Sequence, residues 1–573
     1  MTVTPLWFGP SERPLFGWLH VPVGGQARGA VVLCPPVGRD YLQAHYALRR
    51  LAERAQQCGL CVLRFDYDGT GDSAGTGTDQ GRVEAWLEST CSALAVVRAT
   101  GASRVALVGM RLGAAVAATA AARDGAVDQL VLWDPCPSGR MFLSEQRALA
   151  SLWLGVTPTR RDGSVEIPGL VLGAETVRHV EKLRIDDSAG RLADHVLVLT
   201  RSGTQDGALH KGLVSTDAEW GEATGQVQLM DAVSPQYQLL PDAMIERIAA
   251  WLSCHADGAP LTVSTPPAAG PVTLGATDTG GAVTERPVFL GPLGLFGLVT
   301  EPAGRPVGPT VVFLSVAKEH HVGPNRLWVD LARRLARGGR RSVRVDLSGL
   351  GDSPVRAGQP EFVSRTPMAF DDVVDVARAV SPDDPANIVL VGLCSAAYQA
   401  LESALELRPR CVVAINPILS FEPPEVLAGA PLDPRRRIAM PRGALLQALD
   451  HHGPLSPLNR RFPSLAWRLR ILVAPGRRSG LWLKELTASG VDLLLVCGEH
   501  EAVPILRGAS AQTLEALAGT GCFRFELVAG LDHGLLRSDH RDRVSEMLVT
   551  HVLERFGHDG ESTTGARVPP LVR

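Results

Sequence analysis

The sequence predicts an α/β protein of two tandem domains, each a mostly parallel, doubly wound sheet. Three observations carry this reading. The chain has 573 residues, more than one hydrophobic core accommodates. Continuous Val/Ile/Leu runs alternate with helix-patterned segments in both halves, as in sheets covered on both faces. The halves also repeat one another. Residues 62–73 (VLRFDYDGTGDS) return 280 positions later as 342–353 (SVRVDLSGLGDS). Residues 107–113 (LVGMRLG) return 283 positions later as 390–396 (LVGLCSA), and 132–135 (LWDP) return 282 positions later as 414–417 (AINP). Three matches in one order at nearly one offset indicate a duplicated domain.

In the first copy ARGAVVLCPP, LCVLRFDY, RVALVG and QLVLWDP read as strands. Helices are expected in YALRRLAERAQQCG, near 82–100 and after Arg111. The second copy gives strands in PTVVFLSV, SVRVDL, NIVLVG and CVVAINP, with helices in RLWVDLARRLARGG, PMAFDDVVDVARAV and after Cys394. Residues 255–285 are rich in Gly, Pro, Thr and Ala and read as a flexible linker between domains at 1–254 and 286–557. Residues 558–573 read as a loose tail.

Composition excludes several classes. The chain is 45% hydrophobic and 20% charged with a net charge of -3, so nothing calls for nucleic acid or an acidic membrane as partner. The first residues lack a basic segment followed by an apolar core, and no run is long enough to span a bilayer. The ten scattered cysteines fit reduced thiols and a cytoplasmic location. Cys58 and Cys61 form a CxxC without a second pair, so neither a redox nor a zinc role is expected. The GxGxxG spacing is absent after Asp66 and Asp346, and no cofactor is expected.

The most informative stretch is 387–402, NIVLVGLCSAAYQALE. An apolar strand runs into Gly392-Leu393-Cys394-Ser395-Ala396, and a helix follows. A strand that turns sharply into a helix around a nucleophile needs small residues two before and two after it. Cys394 meets that requirement through Gly392 and Ala396. Ser395 does not, because Leu393 takes the tight position. A thiol at Cys394 also stands at a helix N-terminus, where the dipole favours an anion. The competing reading is a buried core cysteine.

The order of strand, DxxGxGDS turn, elbow and later apolar strands resembles the α/β-hydrolase superfamily. Within it the serine-aminopeptidase-like hydrolases look closest, including those that accompany exosortase or exopolysaccharide clusters. The resemblance covers about 4–252 and 286–556. It implies the chain order nucleophile, acid, histidine. The acid is then Glu501 after VDLLLVCG, with Glu499 as fallback, and the histidine is His533 after FRFELVAG. His540 is expected as a solvated surface residue. The backbone N–H of Ser395, with that of Val316 or Ala317, would form the oxyanion hole. His320, His321 and Arg326 near the same mouth are candidates for substrate binding; the alternative is that they cap a helix and face water. A metal on His320 and His321 is not expected, since adjacent residues point apart. Residues 418–489 occupy the place of a helical lid.

The first copy departs from the pattern. Its nucleophile position is Arg111, a permanent cation that cannot attack. Asp206 is a remnant acid, and VQLMDAVSPQYQLLP, expected to hold the last strand and loop, has no histidine. A packing partner is the preferred reading of this copy, and an anion site at Arg111 is the sharper one. The expected activity is ester or thioester hydrolysis through acyl-Cys394 on a small-molecule or carrier-bound acyl substrate. Acyl transfer to an amine or alcohol, or a scaffold of two degenerate copies, are the alternatives.

Overall fold

A computed structural model of the chain describes residues 2–186, 191–201, 207–231, 238–266, 268–274, 281–363, 368–418 and 478–557. The N-terminal half contains β1 (Thr2–Phe8), β2 (Leu15–Val21), β3 (Gln26–Ala27), β4 (Ala30–Cys34), β5 (Cys61–Phe65), β6 (Val105–Met110), β7 (Gln129–Trp133), β8 (Val165–Ile167), β9 (Leu170–Leu172), β10 (His195–Thr200) and β11 (Ala218–Glu222). After β12 (Leu261–Thr262) come β13 (Val272–Leu274), β14 (Val283–Leu290), β15 (Leu295–Pro302), β16 (Thr310–Leu314), β17 (Ser342–Val345), β18 (Ile388–Leu393), β19 (Cys411–Ile415), β20 (Asp492–Cys497) and β21 (Phe523–Leu527).

Two large sheets result. The first has the order β1-β2-β5-β4-β6-β7-β10-β11, and the second β13-β14-β15-β17-β16-β18-β19-β20-β21. Apart from β13 at the edge, the second order repeats the first strand for strand. Pairing is antiparallel up to β5 in one and β17 in the other, and parallel beyond. Even the register repeats: Val31 lies opposite Val62, and Val311 opposite Ser342. Central strands such as β6 and β18 are buried along their whole length, which is why they read as unbroken apolar runs. Among the described residues no helix is long and apolar enough to cross a membrane.

The DxxGxGDS turns are built alike. Ser73 Oγ donates to Asp66 O at 2.7 Å, and Ser353 Oγ to Asp346 O at 2.6 Å. The N–H of Asp72 donates to Asp66 Oδ2 and that of Asp352 to Asp346 Oδ2, both at 2.9 Å. Gly71 and Gly351 have φ of 46° and 50°, and a Cβ on either would strike the aspartate at the turn's start. Glycine is therefore a steric requirement at both places.

The two halves meet face to face through equivalent residues. Phe16 stacks on Phe296 with ring centroids 6.3 Å apart, and Trp18 meets Phe296 edge-on at 4.6 Å. Arg64 pairs with Asp352 at 2.7 Å, and Arg344 pairs with Asp72. Each partner is the other half's counterpart 280 residues away. This is the reciprocal pattern of an isologous dimer, realised inside one chain. It explains why β2, next to the sheet edge, is buried on both faces.

Several expectations need correction. The segment 255–285 is tethered rather than free: β12 pairs with β3, β13 pairs with β14, and Glu285 is buried against Arg333 and Arg344. The last strand of the first sheet is β11. VQLM, expected as that strand, forms the helix Gln226–Met230, whose Leu229 and Met230 are buried. The WLKEL part of the expected lid lies in the helix Arg478–Ala488, and its Trp482 is buried in the core. Residues 419–477, Asp206 and the tail 558–573 lie outside the described residues. Cys58 and Cys61 are both free thiols.

Phe296 is completely buried among Phe16, Trp18, Phe289 and His321. Phe296→Ala is expected to destabilise the protein by about 3 kcal/mol. The denaturant midpoint measures this, and Val23→Ala at an exposed position serves as the silent control.

Candidate active site

The elbow has the conformation its sequence requires. Cys394 sits between β18 and the helix Ser395–Leu407 with φ 57° and ψ -115°. A Cβ on Gly392 would collide with the Ala396 backbone, so the position must be glycine. Arg111 adopts φ 54° and ψ -122° between β6 and the helix Leu112–Asp124. The strained backbone is thus the same in both halves, while the side chains differ. Cys394 is partly exposed, whereas Arg111 is buried.

Two residues from separate elements converge on Cys394. Glu501 lies in the first turn of the helix Glu499–Gly508, directly after β20, and His533 lies in the turn after β21. His533 Nδ1 is 3.0 Å from Glu501 Oε1. Cys394 and Glu501 together push the His533 imidazole up to about 9 against a burial effect that opposes them. Glu499 is exposed, and it is Glu501 that meets the ring.

Sequence reasoning missed Asn416, at the end of β19 with φ 42°. Its Nδ2 donates to Asp532 O at 3.3 Å and His533 O at 3.2 Å, and its Oδ1 accepts from the Gly498 N–H at 2.8 Å. One amide thereby joins the loop before Glu501 to the turn of His533. The signal was its place in the AINP/LWDP repeat. His540 is not a solvated residue. It is 6% exposed, and its Nδ1 lies 2.9 Å from Asp532 Oδ2, so it braces the same turn.

The Ala317 N–H donates to Ser395 Oγ at 3.0 Å, which brings that amide to the residue after Cys394. Val316 is buried, and its carbonyl accepts from the Glu319 N–H. The substrate-binding and solvent-facing readings of His320, His321 and Arg326 both give way to another role. His320 and His321 are 2% and 1% exposed. His320 stacks on His45 with centroids 3.7 Å apart and meets Tyr41 Oη at 3.1 Å. His321 lies between Asp72 and Asp346, at 2.7 and 2.8 Å. Arg326 donates to the carbonyls of Gly71, Ser73 and Gly75. All three are held in the contact between halves, His320 by His45 and Tyr41, His321 by buried aspartates, and Arg326 by backbone oxygens.

In the N-terminal half Arg111 is surrounded by Asp40 and Asp134, each at 3.4 Å, and Glu145. Three carboxylates already match its charge, so the anion-site reading of Arg111 is not favoured. Two clusters bring possible metal ligands together: Cys411, Asp492 and His551, and His321, Asp346 and Asp352. In the first, His551 Nε2 is 3.1 Å from Asp492 and Arg555 holds the other carboxylate oxygen at 2.6 Å. In the second, His321 bridges two aspartates and Arg64 holds Asp352. Both read as internally satisfied ion pairs.

Arg111→Ala would leave three facing carboxylates, and a loss of about 3–5 kcal/mol in stability is expected, without a change in phosphate or acetate binding. Thermal unfolding and a titration with either anion check the two parts. His533 supplies a pH dependence. Its folded-state value is raised above about 6.5, so its stabilising effect is complete below that pH and is lost as pH rises through about 9. The side chain is 45% exposed, so the effect is modest. The difference in melting temperature between wild type and His533→Gln should therefore shrink between those two pH values.

Residues 314–547 match the alpha/beta hydrolase family. No curated protein matches the chain. Solved structures with a similar fold include a lidless α/β serine hydrolase from Xanthomonas campestris, 15% identical, covering 48% of this chain and 94% of its own with a TM-score of 0.27. Est1E from Butyrivibrio proteoclasticus is 15% identical over 44% of this chain and 99% of its own, with a TM-score of 0.30. A thioesterase domain from the curacin biosynthetic pathway is 19% identical over 46% and 99%, with a TM-score of 0.28. With the strand order and elbow described above, the family match assigns the C-terminal half of the chain to the α/β-hydrolase superfamily.

Proposed function

We propose that the C-terminal half hydrolyses an ester or thioester through a covalent acyl-Cys394 intermediate. The observation that carries this reading is the 3.0 Å contact between His533 and Glu501 beside the partly exposed thiol of Cys394 at the elbow. His533 takes the thiol proton, and Glu501 orients the ring. The sulfur attacks the acyl carbon, and the resulting oxyanion is received by the Ser395 N–H and by the Ala317 N–H once the Ser395 hydroxyl turns aside. Collapse expels the alcohol or thiol, which leaves with the proton from His533. Water, deprotonated by His533, then cleaves the acyl-sulfur bond and releases the acid. The N-terminal half, proposed as residues 1–254, is non-catalytic, because Arg111 stands at its elbow.

The test incubates the protein with short- and medium-chain acyl thioesters and follows acid release and intact mass. Wild type should gain one acyl mass on the peptide holding Cys394. Cys394→Ala should lose both signals, and Ser395→Ala should keep them. Turnover that survives Cys394→Ala but not Ser395→Ala would assign the nucleophile to the wrong residue. An acyl group delivered to an added amine in preference to water would make the protein a transferase. An inert wild type would leave a scaffold.

A further inference from the structure

The loop after β16 carries the Ala317 amide, and nearly everything that holds its later part comes from the other half. Lys318 Nζ donates to Gln238 O at 3.0 Å. His320 rests on His45 and Tyr41. Arg326 is fastened to the 71–75 turn. The strongest link is His321. Its N–H and Nδ1 bind Asp346 within its own half, at 2.6 and 2.8 Å, and its Nε2 binds Asp72 across the contact at 2.7 Å. Burial disfavours charge on both groups, and their mutual attraction, with Asp346 and Arg344, outweighs it. His321 is pushed well up and Asp72 is held well below the usual carboxylate range.

The counterpart of this link is different. Tyr41 stands 280 residues before His321, and it donates to Asp66 at 2.7 Å as His321 binds Asp346. Across the contact, however, Asp352 is met by His45 at 3.4 Å and by Arg64, and Tyr41 turns to His320. The aspartates are equivalent in position and burial, yet only Asp72 grips a histidine of the loop that bears the candidate oxyanion amide. The same loop reaches the base as well, since Asn325 Nδ2 donates to Leu535 O at 3.1 Å in the turn after His533.

We infer that Asp72, from the half without a nucleophile, is a positioning residue for the reaction at Cys394: through His321 it fixes the loop that sets the Ala317 amide. This rests on the acyl-Cys394 reading above. Asp72 touches no reacting atom. Its effect is on the placement of one hydrogen-bond donor, where a shift of about 1 Å changes rate by up to about 100-fold.

The experiment compares Asp72→Asn with Asp352→Asn in the full chain. Asp72→Asn is expected to lower kcat about 10- to 100-fold with KM changed less than about twofold. Iodoacetamide labelling of Cys394, followed on its peptide by mass, should stay at the wild-type rate, since the Cys394–His533–Glu501 contacts do not involve Asp72. Asp352→Asn removes an equally buried cross-contact charge and should leave kcat within about twofold. Equal losses in the two variants would reduce Asp72 to a general stabiliser and overturn the inference, as would an unchanged kcat in Asp72→Asn. Should Asp72→Asn fail to fold, His321→Gln keeps the Asp72–Arg344 pair and must give the same kcat loss. Failure of both to fold also overturns the inference. A wild type without Cys394-dependent turnover overturns the acyl-cysteine reading itself, a result separable from an active wild type with an indifferent Asp72.

Discussion

Two buried ion pairs across the contact between halves, Arg64 with Asp352 and Arg344 with Asp72, constrain the rest of the molecule. Each places a guanidinium from a sheet strand against an aspartate from the opposite DxxGxGDS turn. A charge taken out of water costs several kcal/mol, recovered only when its partner is present in good geometry. Neither half can therefore expose this face without leaving a buried aspartate and an aromatic surface unmatched. Phe16 and Phe296 fill the space between the pairs. The arrangement gives the N-terminal half, with Arg111 at its elbow, a structural reason to keep a complete core and an intact strand order. Its surface is part of the interior of its neighbour.

The two elbows share a backbone conformation and differ in the side chain they carry. Backbone angles at Arg111 and Cys394 agree within a few degrees, and both positions receive the strain of a positive φ. In the second half that strain lifts a thiol to a partly exposed position beside an imidazole. In the first it turns a guanidinium into three carboxylates. The same backbone geometry therefore carries a partly exposed thiol in one half and a structural ion cluster in the other.

Much of this was legible in the sequence because it depends on local rules. Unbroken apolar runs gave the parallel strands, and the flanking small residues singled out Cys394 over Ser395. Chain order pointed to Glu501 and His533, and these two lie 3.0 Å apart. What the sequence hid depends on partners far away in the chain. His320, His321 and Arg326 look like polar residues at a site mouth until the opposite half supplies Asp72, His45 and the 71–75 carbonyls. The clue was present in the repeat, where Arg64 and Arg344 interrupt apolar strands at the same position. A buried arginine in a strand demands a buried anion. The tethered segment before Glu285 was illegible for the opposite reason: its composition is that of a linker, and short pairings with β3 and β14 and a few backbone hydrogen bonds to the first half hold it.

A further position, just after the strand that follows the elbow, also differs between the halves. Asn416 and Asp134 both follow the strand after the elbow, with φ of 42° and 46°. Asn416 must donate to two carbonyls and accept from one N–H, a task that an amide performs and an ionised carboxylate cannot. Asp134 accepts from Arg201 at 3.0 Å and from Arg111. With Arg111 replaced by serine, Asp134 and Asp40 lose a shared counter-charge, and Asp134 still has no donor with which to hold a histidine turn. The residue at the elbow and the residue after the following strand are thus physically linked choices. In the first half Arg111, Asp134 and Arg201 form a charged, self-neutralised interior, and in the second Asn416 clasps the turn of His533.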